Sequence, residues 1–228
     1  AVWEKVNSVF DCLPLAARID ESIFCVHGGI APKEMDLPGG RIEQMKSIPV
    51  PLQIPFPSEY LHTIDSEDEQ ELDDEGVGSQ PTAAGGKIRK GSPSSAPSAA
   101  AVRRLYQRLP FNLLRAVPAD LDQERVLSNV ASGFCQGYRG EDSVVYGENA
   151  VNAFLKESGC EMIMRAHEAT VGGIKVCKQA RVLTVFSTSK DHGVGVGASC
   201  ACVLVDRHRV IVINKSPLYD EQFVQLSA

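Results

Sequence analysis

Apolar residues recur at spacings of three and four over the first eighteen positions. Val2, Val6, Phe10, Leu13 and Ala17 fall on one stripe. That spacing predicts a helix over residues 2–18, with Pro14 as an interior irregularity. Residues 22–27 then form a short apolar run ending at His27-Gly28-Gly29. The run predicts a buried strand that delivers His27 to its C-terminal edge, with two glycines that allow a sharp turn and close backbone approach. A short helix is predicted over 41–47. A second clear helical stripe, Val151, Phe154 and Leu155, predicts a helix over 148–158, with Gly159 where a C-terminal cap would sit. Residues 161–165 predict a strand followed by the turn Ala166-His167-Glu168. Residues 174–177, 182–187, 198–205 and 210–214 are β-rich, and the glycine-rich run 193–197 separates two of the last strands. A strand–helix–strand order followed by several strands predicts an α+β sandwich.

One stretch breaks this pattern. Residues 65–75 are mostly Asp and Glu, and residues 76–101 are Gly, Ser, Pro and Ala with a few basic positions. Neither can bury enough apolar surface to offset its ordering entropy. Residues 62–101 are therefore expected to be a disordered insertion, used as a solvated loop or as a docking tail. Order is expected to resume near Val102. This divides the chain into a folded part at 1–61, the insertion at 62–101, a second folded part at 102–220 and a tail at 221–228.

Composition narrows the partners. The net charge is −6 and the pI is about 5.4, which argues against a nucleic-acid partner despite the brief cluster Arg103, Arg104 and Arg108. No run approaches the roughly 18 apolar residues of a transmembrane helix, so no membrane partner is expected. The seven cysteines are irregularly spaced and form no zinc-type pair. They point to a reducing compartment, cytoplasmic or nuclear, and mostly to small buried hydrophobes; Cys200 and Cys202, two apart on a strand, are expected to share a buried face. The chain opens at Ala1 inside what reads as a helix, so a longer polypeptide is expected.

His27 and His167 both stand at predicted strand ends beside small residues. Neutral imidazole is a common ligand for borderline transition metals. Taken alone, each reads as a buried, hydrogen-bonded histidine. The order of motifs adds to this. Phe10-Asp11-Cys12-Leu13-Pro14-Leu15-Ala16-Ala17, His27-Gly28-Gly29-Ile30-Ala31-Pro32, Arg139-Gly140, Tyr146-Gly147, the helix at 148–158, Arg165-Ala166-His167-Glu168 and the strand at 182–187 follow one another. This series resembles the PPP family of Ser/Thr protein phosphatases, including calcineurin-like and type-1 or type-2A-like members. The resemblance implies the C-terminal portion of a calcineurin-like metallophosphatase β-sandwich flanked by helices. It implies metal-dependent hydrolysis of phosphoserine and phosphothreonine in proteins, through two divalent ions of the manganese or iron/zinc class that activate a hydroxide for in-line attack. On matching positions His27 and His167 are implied metal ligands. Arg139 is implied to hold the substrate phosphate with its planar fork of donors. A phosphoprotein substrate and regulatory or assembly subunits are the implied partners.

The resemblance also implies what this sequence lacks. The family's GDxHG, GDxxDRG and GNHE motifs do not occur here. The other metal ligands and the general-acid histidine–aspartate pair are absent with them, so no catalytic acid is assigned, and the chain alone is expected to bind metal weakly and to be inactive. Arg115 and Val117 replace the family's Trp and Asp in a segment matching LLWSDP, Gly137 replaces an asparagine, and Asp191 stands at the active-site tyrosine position. Val117 removes a carboxylate that would orient Arg139, and Asp191 would repel an incoming phosphate by roughly 1–4 kcal/mol. His192 is a weak candidate for a substitute acid; His62 and His208 receive no role. These departures keep open an impaired pseudophosphatase that binds without cleaving, or a structural subunit of a larger assembly.

Overall fold

The computed structural model describes residues 2–33, 38–52, 99–137, 143–188, 199–215 and 224–226. Helix α1 (Val2–Phe10) opens the chain. It stops short of the predicted residue 18, because Pro14 has no N–H to continue the ladder and its ring would clash with the preceding turn. The chain loosens through Asp11, Cys12 and Leu13. Residues Ala16–Ile19 then form strand β1, so the last three residues of the predicted helix, 16–18, are strand. It pairs antiparallel with β2 (Ile23–Val26), Ala17 opposite Cys25. The apolar stripe is real but faces outward: α1 buries no residue, and Val2, Val6 and Phe10 are exposed.

After α2 (Arg41–Lys46) the described chain resumes in helix α3 (Ala99–Arg115), three residues before the position where order is expected to return. The rest of the predicted insertion, residues 62–98, lies outside the described residues. Next come β3 (Val117–Pro118), α4 (Leu121–Leu127), β4 (Phe134–Gln136) and β5 (Val144–Tyr146). Helix α5 (Glu148–Ser158) follows, with the bounds its periodicity predicts. Gly159 ends it in the left-handed region at φ +74, and its N–H donates to the Leu155 carbonyl at 2.9 Å. A residue with a Cβ would be strained there, which is why glycine marks this boundary. The chain closes with β6 (Met162–Arg165), β7 (Ile174–Cys177), β8 (Val182–Val185), β9 (Cys200–Val205), β10 (Val210–Lys215) and β11 (Val224–Leu226). β11 pairs with β10, so part of the expected tail belongs to a sheet.

The strands form three sheets, ordered β1-β2-β6-β8-β7, β11-β10-β9 and β3-β5-β4. The largest is mixed: β2, β6 and β8 run parallel, with antiparallel hairpin partners at both edges. Helices and mixed sheets together make the α+β fold expected from the element order. The core lies between the parallel strands and α5. Phe24, Ile30, Leu113, Val151, Phe154, Ile163 and Val182 interlock there, and α5 turns Ala150, Val151, Phe154 and Leu155 inward. The cysteines fit their expected role less well. Cys160 is buried, but Cys12, Cys135 and Cys202 are exposed and Cys200 is half-buried. On β9 it is Ala201, on the opposite face, that is buried.

One polar contact ties α5 to α2. The Glu157 carboxylate accepts from the Arg41 backbone N–H at 3.0 Å, pairs with its guanidinium, and lies 3.4 Å from the Lys33 ammonium. Burial works to raise this carboxyl, but the Arg41 N–H, the Arg41 charge and Lys33 together hold it below the ordinary glutamate range. A depressed carboxyl contributes stability above its unfolded pKa and loses it as pH falls through the folded one. Glu157→Gln should therefore cost on the order of 1 kcal/mol at pH 7. The deficit against wild type should shrink towards pH 3 in urea titrations. A pH-independent deficit would show that the contact is not electrostatic.

Candidate metal and phosphate site

The parallel register of β2 and β6 places Cys25 opposite Met164, so both strands end at the same sheet edge. His27 follows β2 by one residue and His167 follows β6 by two. Their imidazole rings approach edge to face, with centroids 5.1 Å apart. Carboxyl ends of neighbouring parallel strands are where open α/β sheets commonly bind ligands.

Backbone contacts fix both turns. The Ala166 N–H donates to the His27 carbonyl at 3.0 Å, joining the two strand ends directly. His167 has φ +65, an uncommon conformation for a residue with a side chain. The Glu168 N–H donates back to the Ala166 carbonyl at 2.8 Å, so His167 sits at the apex of a three-residue turn. Such strain costs roughly 1–3 kcal/mol and persists only where surroundings enforce it. It directs the ring toward His27.

The enforcing residue is Arg165, which sequence reasoning left without a role. Its side chain is fully buried. Nε donates to the Gly28 carbonyl at 2.6 Å, one amino group donates to the Ala116 carbonyl at 3.3 Å, and the other pairs with Glu168. One guanidinium thus holds the residue after each histidine and the end of α3. A charged residue closing an otherwise apolar strand, Met162-Ile163-Met164-Arg165, was the available signal.

The two glycines after His27 have separate packing reasons. A Cβ at Gly28 would lie 2.5 Å from the Arg115 nitrogen and the Leu114 carbonyl carbon, while the Gly28 N–H donates to the Leu113 carbonyl at 2.7 Å. A Cβ at Gly29 would overlap the Tyr146 ring. That ring is fully buried, its hydroxyl has no partner among the described residues, and burial pushes its pKa up, so it stays a neutral phenol. Gly28→Ala should cost about 1–3 kcal/mol through backbone overlap, read as a lower urea midpoint. An unchanged midpoint would mean that the strand end is not pressed against α3.

The donor set suits a borderline metal in type. Burial, then the charges of Arg165 and Arg115, lower the His27 pKa and favour the neutral imidazole that a metal needs. In number it falls short. No group of three or more His, Cys, Asp or Glu among the described residues could hold an ion. Glu168 is engaged by Arg165.

The other predicted residues divide. Arg139, Asp191, His192 and His62 lie outside the described residues. The Gly137 N–H donates to the Ser143 carbonyl at 2.8 Å, closing the stem that brackets Arg139. A Cβ at Gly137 would lie 2.6 Å from the Ser143 hydroxyl, so an asparagine would crowd this stem. Val117 pairs with β5 and packs with Leu127 and Val145, which gives its side chain an apolar role. His208 lies on an exposed turn, away from any assigned role.

Comparison with known proteins bears on the family and the fold. Residues 1–171 match the calcineurin-like phosphoesterase (Metallophos) family. The Arabidopsis thaliana serine/threonine-protein phosphatase BSL2 is 24% identical over 203 residues, which is 89% of this chain and 14% of that protein. A solved Saccharomyces cerevisiae protein serine/threonine phosphatase, described as similar to human phosphatase PP5, superposes with a TM-score of 0.53 at 16% identity, covering 96% of this chain and 54% of that one. The chain thus spans about half of the solved phosphatase and a small part of the plant relative.

Proposed function

The chain belongs to the calcineurin-like phosphoesterase family, and from that membership we propose that it forms part of a metal-dependent phosphatase acting on phosphoserine and phosphothreonine in proteins. His27 and His167 would both serve as ligands of a two-ion site through neutral imidazole nitrogens. Bound ions of the manganese or iron/zinc class would neutralise phosphate oxygens and supply the nucleophile. Arg139 receives the substrate phosphate on its guanidinium fork. Arg165 acts as a positioning residue for both histidines. The remaining ligands and the general acid come from polypeptide outside this sequence, so the chain alone binds metal weakly and does not turn over substrate. Regulatory subunits and a cytoplasmic or nuclear setting belong to the same reading.

The observation that carries it is the approach of two imidazoles to 5.1 Å at one sheet edge, one of them held at positive φ. A binding-only protein gains no support at Val117, whose side chain is accounted for by packing. The test is elemental analysis of a polypeptide extended to the length of its relatives. Two bound ions per molecule are expected, with fewer in His27→Ala and His167→Ala and loss of phosphopeptide hydrolysis in both. An extended wild-type protein without bound metal would sink the reading.

A further inference from the structure

A polar cavity lies along α3. A cavity of about 580 Å³ opens between Ala31–Pro32, α3 and the β4–β5 pair. Arg108 and Asn112 line it from the helix, Gln136 and Ser143 from the strand side, and none of the described lining residues is a carboxylate. Asn112 is only 3% exposed, yet its side-chain oxygen has no hydrogen-bond partner among the described residues. Leaving a buried acceptor unpaired is costly, so this one calls for a donor. Arg115 follows Arg108 by seven residues, about two helical turns, on the same face. Its charge acts on His27. A cationic track therefore runs along α3 from the cavity toward the histidine pair.

The chain carries a matching occupant. Eight of the eleven residues 65–75 are Asp or Glu, and none is Lys or Arg. Without these eight carboxylates the net charge would be +2 instead of −6, so the run holds the whole negative excess of the protein. Glu75 is separated from Ala99, the first residue of α3, by 23 positions. Such a connection spans up to roughly 80 Å when extended. The Arg108 position is only about 14 Å along the helix from Ala99.

We propose that the cavity on α3 is a docking site for the chain's own acidic run, residues 65–75. Arg108 and Arg115 receive its carboxylates, for which guanidinium forks are suited. The Asn112 oxygen accepts a backbone N–H of the docked run. Covalent connection raises the local concentration of the run at the track, so a weak intrinsic contact suffices. The docked run lies beside the histidine pair and competes there with acidic polypeptides. The docking itself does not depend on the phosphatase reading.

The test uses the full chain with all eight acidic residues of the run changed to Asn or Gln, and a fluorescent peptide of residues 62–76 as the probe. The neutralised chain should bind the peptide at least tenfold more tightly than wild type, whose own run occupies the track. Adding Arg108→Glu, or the milder Arg108→Gln, to the neutralised chain should weaken binding tenfold or more with an unchanged melting temperature, while Arg207→Glu in the exposed β9–β10 turn should not. Equal affinity of wild type and neutralised chain, or indifference to both Arg108 variants, would overturn the proposal. So would a wild-type dimer, seen by sedimentation, that dissociates on neutralisation, because the run would then dock on a second copy.

Discussion

Replacing Arg165 with methionine lowers the stability of the chain by about 3–5 kcal/mol. The side chain is fully buried and joins three separate segments: the turn after β2, the end of α3 and the turn after β6. Methionine fills much of the same volume but donates nothing. The Gly28 and Ala116 carbonyls lose a donor, and Glu168 keeps a partly buried charge without its partner. Breaking a buried pair from one side costs more than the pair contributes, because the partner left behind still carries its desolvation penalty. Arg165→Lys should recover only part of the loss, since a point charge cannot serve three acceptors set by a planar fork. Urea denaturation of the two variants checks both statements. A wild-type midpoint in Arg165→Met would remove the residue from its anchoring role.

Phe154→Ala should cost a similar amount, about 3–5 kcal/mol, for a different reason. The ring is fully buried at the centre of α5, with its centroid 4.8 Å from that of Phe24 and the planes at 60°. Truncation loses the transfer energy of the ring, the edge-to-face contact and the packing around the resulting void. The histidine turns lie at the other end of the Phe24 strand, so their backbone contacts should survive where the fold does. Trp3→Ala is the matched control: that aromatic is 75% exposed and its removal should stay within about 0.5 kcal/mol. Thermal unfolding of both variants separates core packing from a general intolerance of aromatic loss.

These two sites also mark what sequence could and could not reveal. Phe154 was legible because a helical stripe turns one face inward over the whole of α5, and Gly159 marked the end through its backbone preference. The central strands β2, β6 and β8 were legible from their apolar runs, whereas β1 was read as helix and the short strands β3, β4, β5 and β11 carried no such run. The end of α1 was misplaced because periodicity continued past Phe10 while Pro14 ended the backbone ladder. Its exposed stripe shows that an apolar pattern reports a capacity to bury, not burial itself. Helix α3 was hidden by composition, since it begins in an alanine- and serine-rich stretch that resembles the insertion before it. Arg165 was hidden because a charged residue at a strand end ordinarily reads as a surface position. The meeting of His27 and His167 depends on the β2–β6 register, a contact between residues 140 positions apart. No local pattern encodes that pairing. Only the order of motifs connected the two histidines before the sheet did.

Titration of the isotope-labelled chain with manganese, followed through its imidazole NMR signals, tests whether His27 and His167 share a metal site. Paramagnetic broadening reports proximity to the ion even where binding is weak, as the proposed site requires when His27 and His167 act without the ligands proposed to lie outside this sequence. His27 and His167 should broaden together at substoichiometric manganese, ahead of His208 on its exposed turn, and His167→Ala should reduce the effect at His27. Uniform broadening of all imidazoles, or broadening of His208 first, would contradict a shared site.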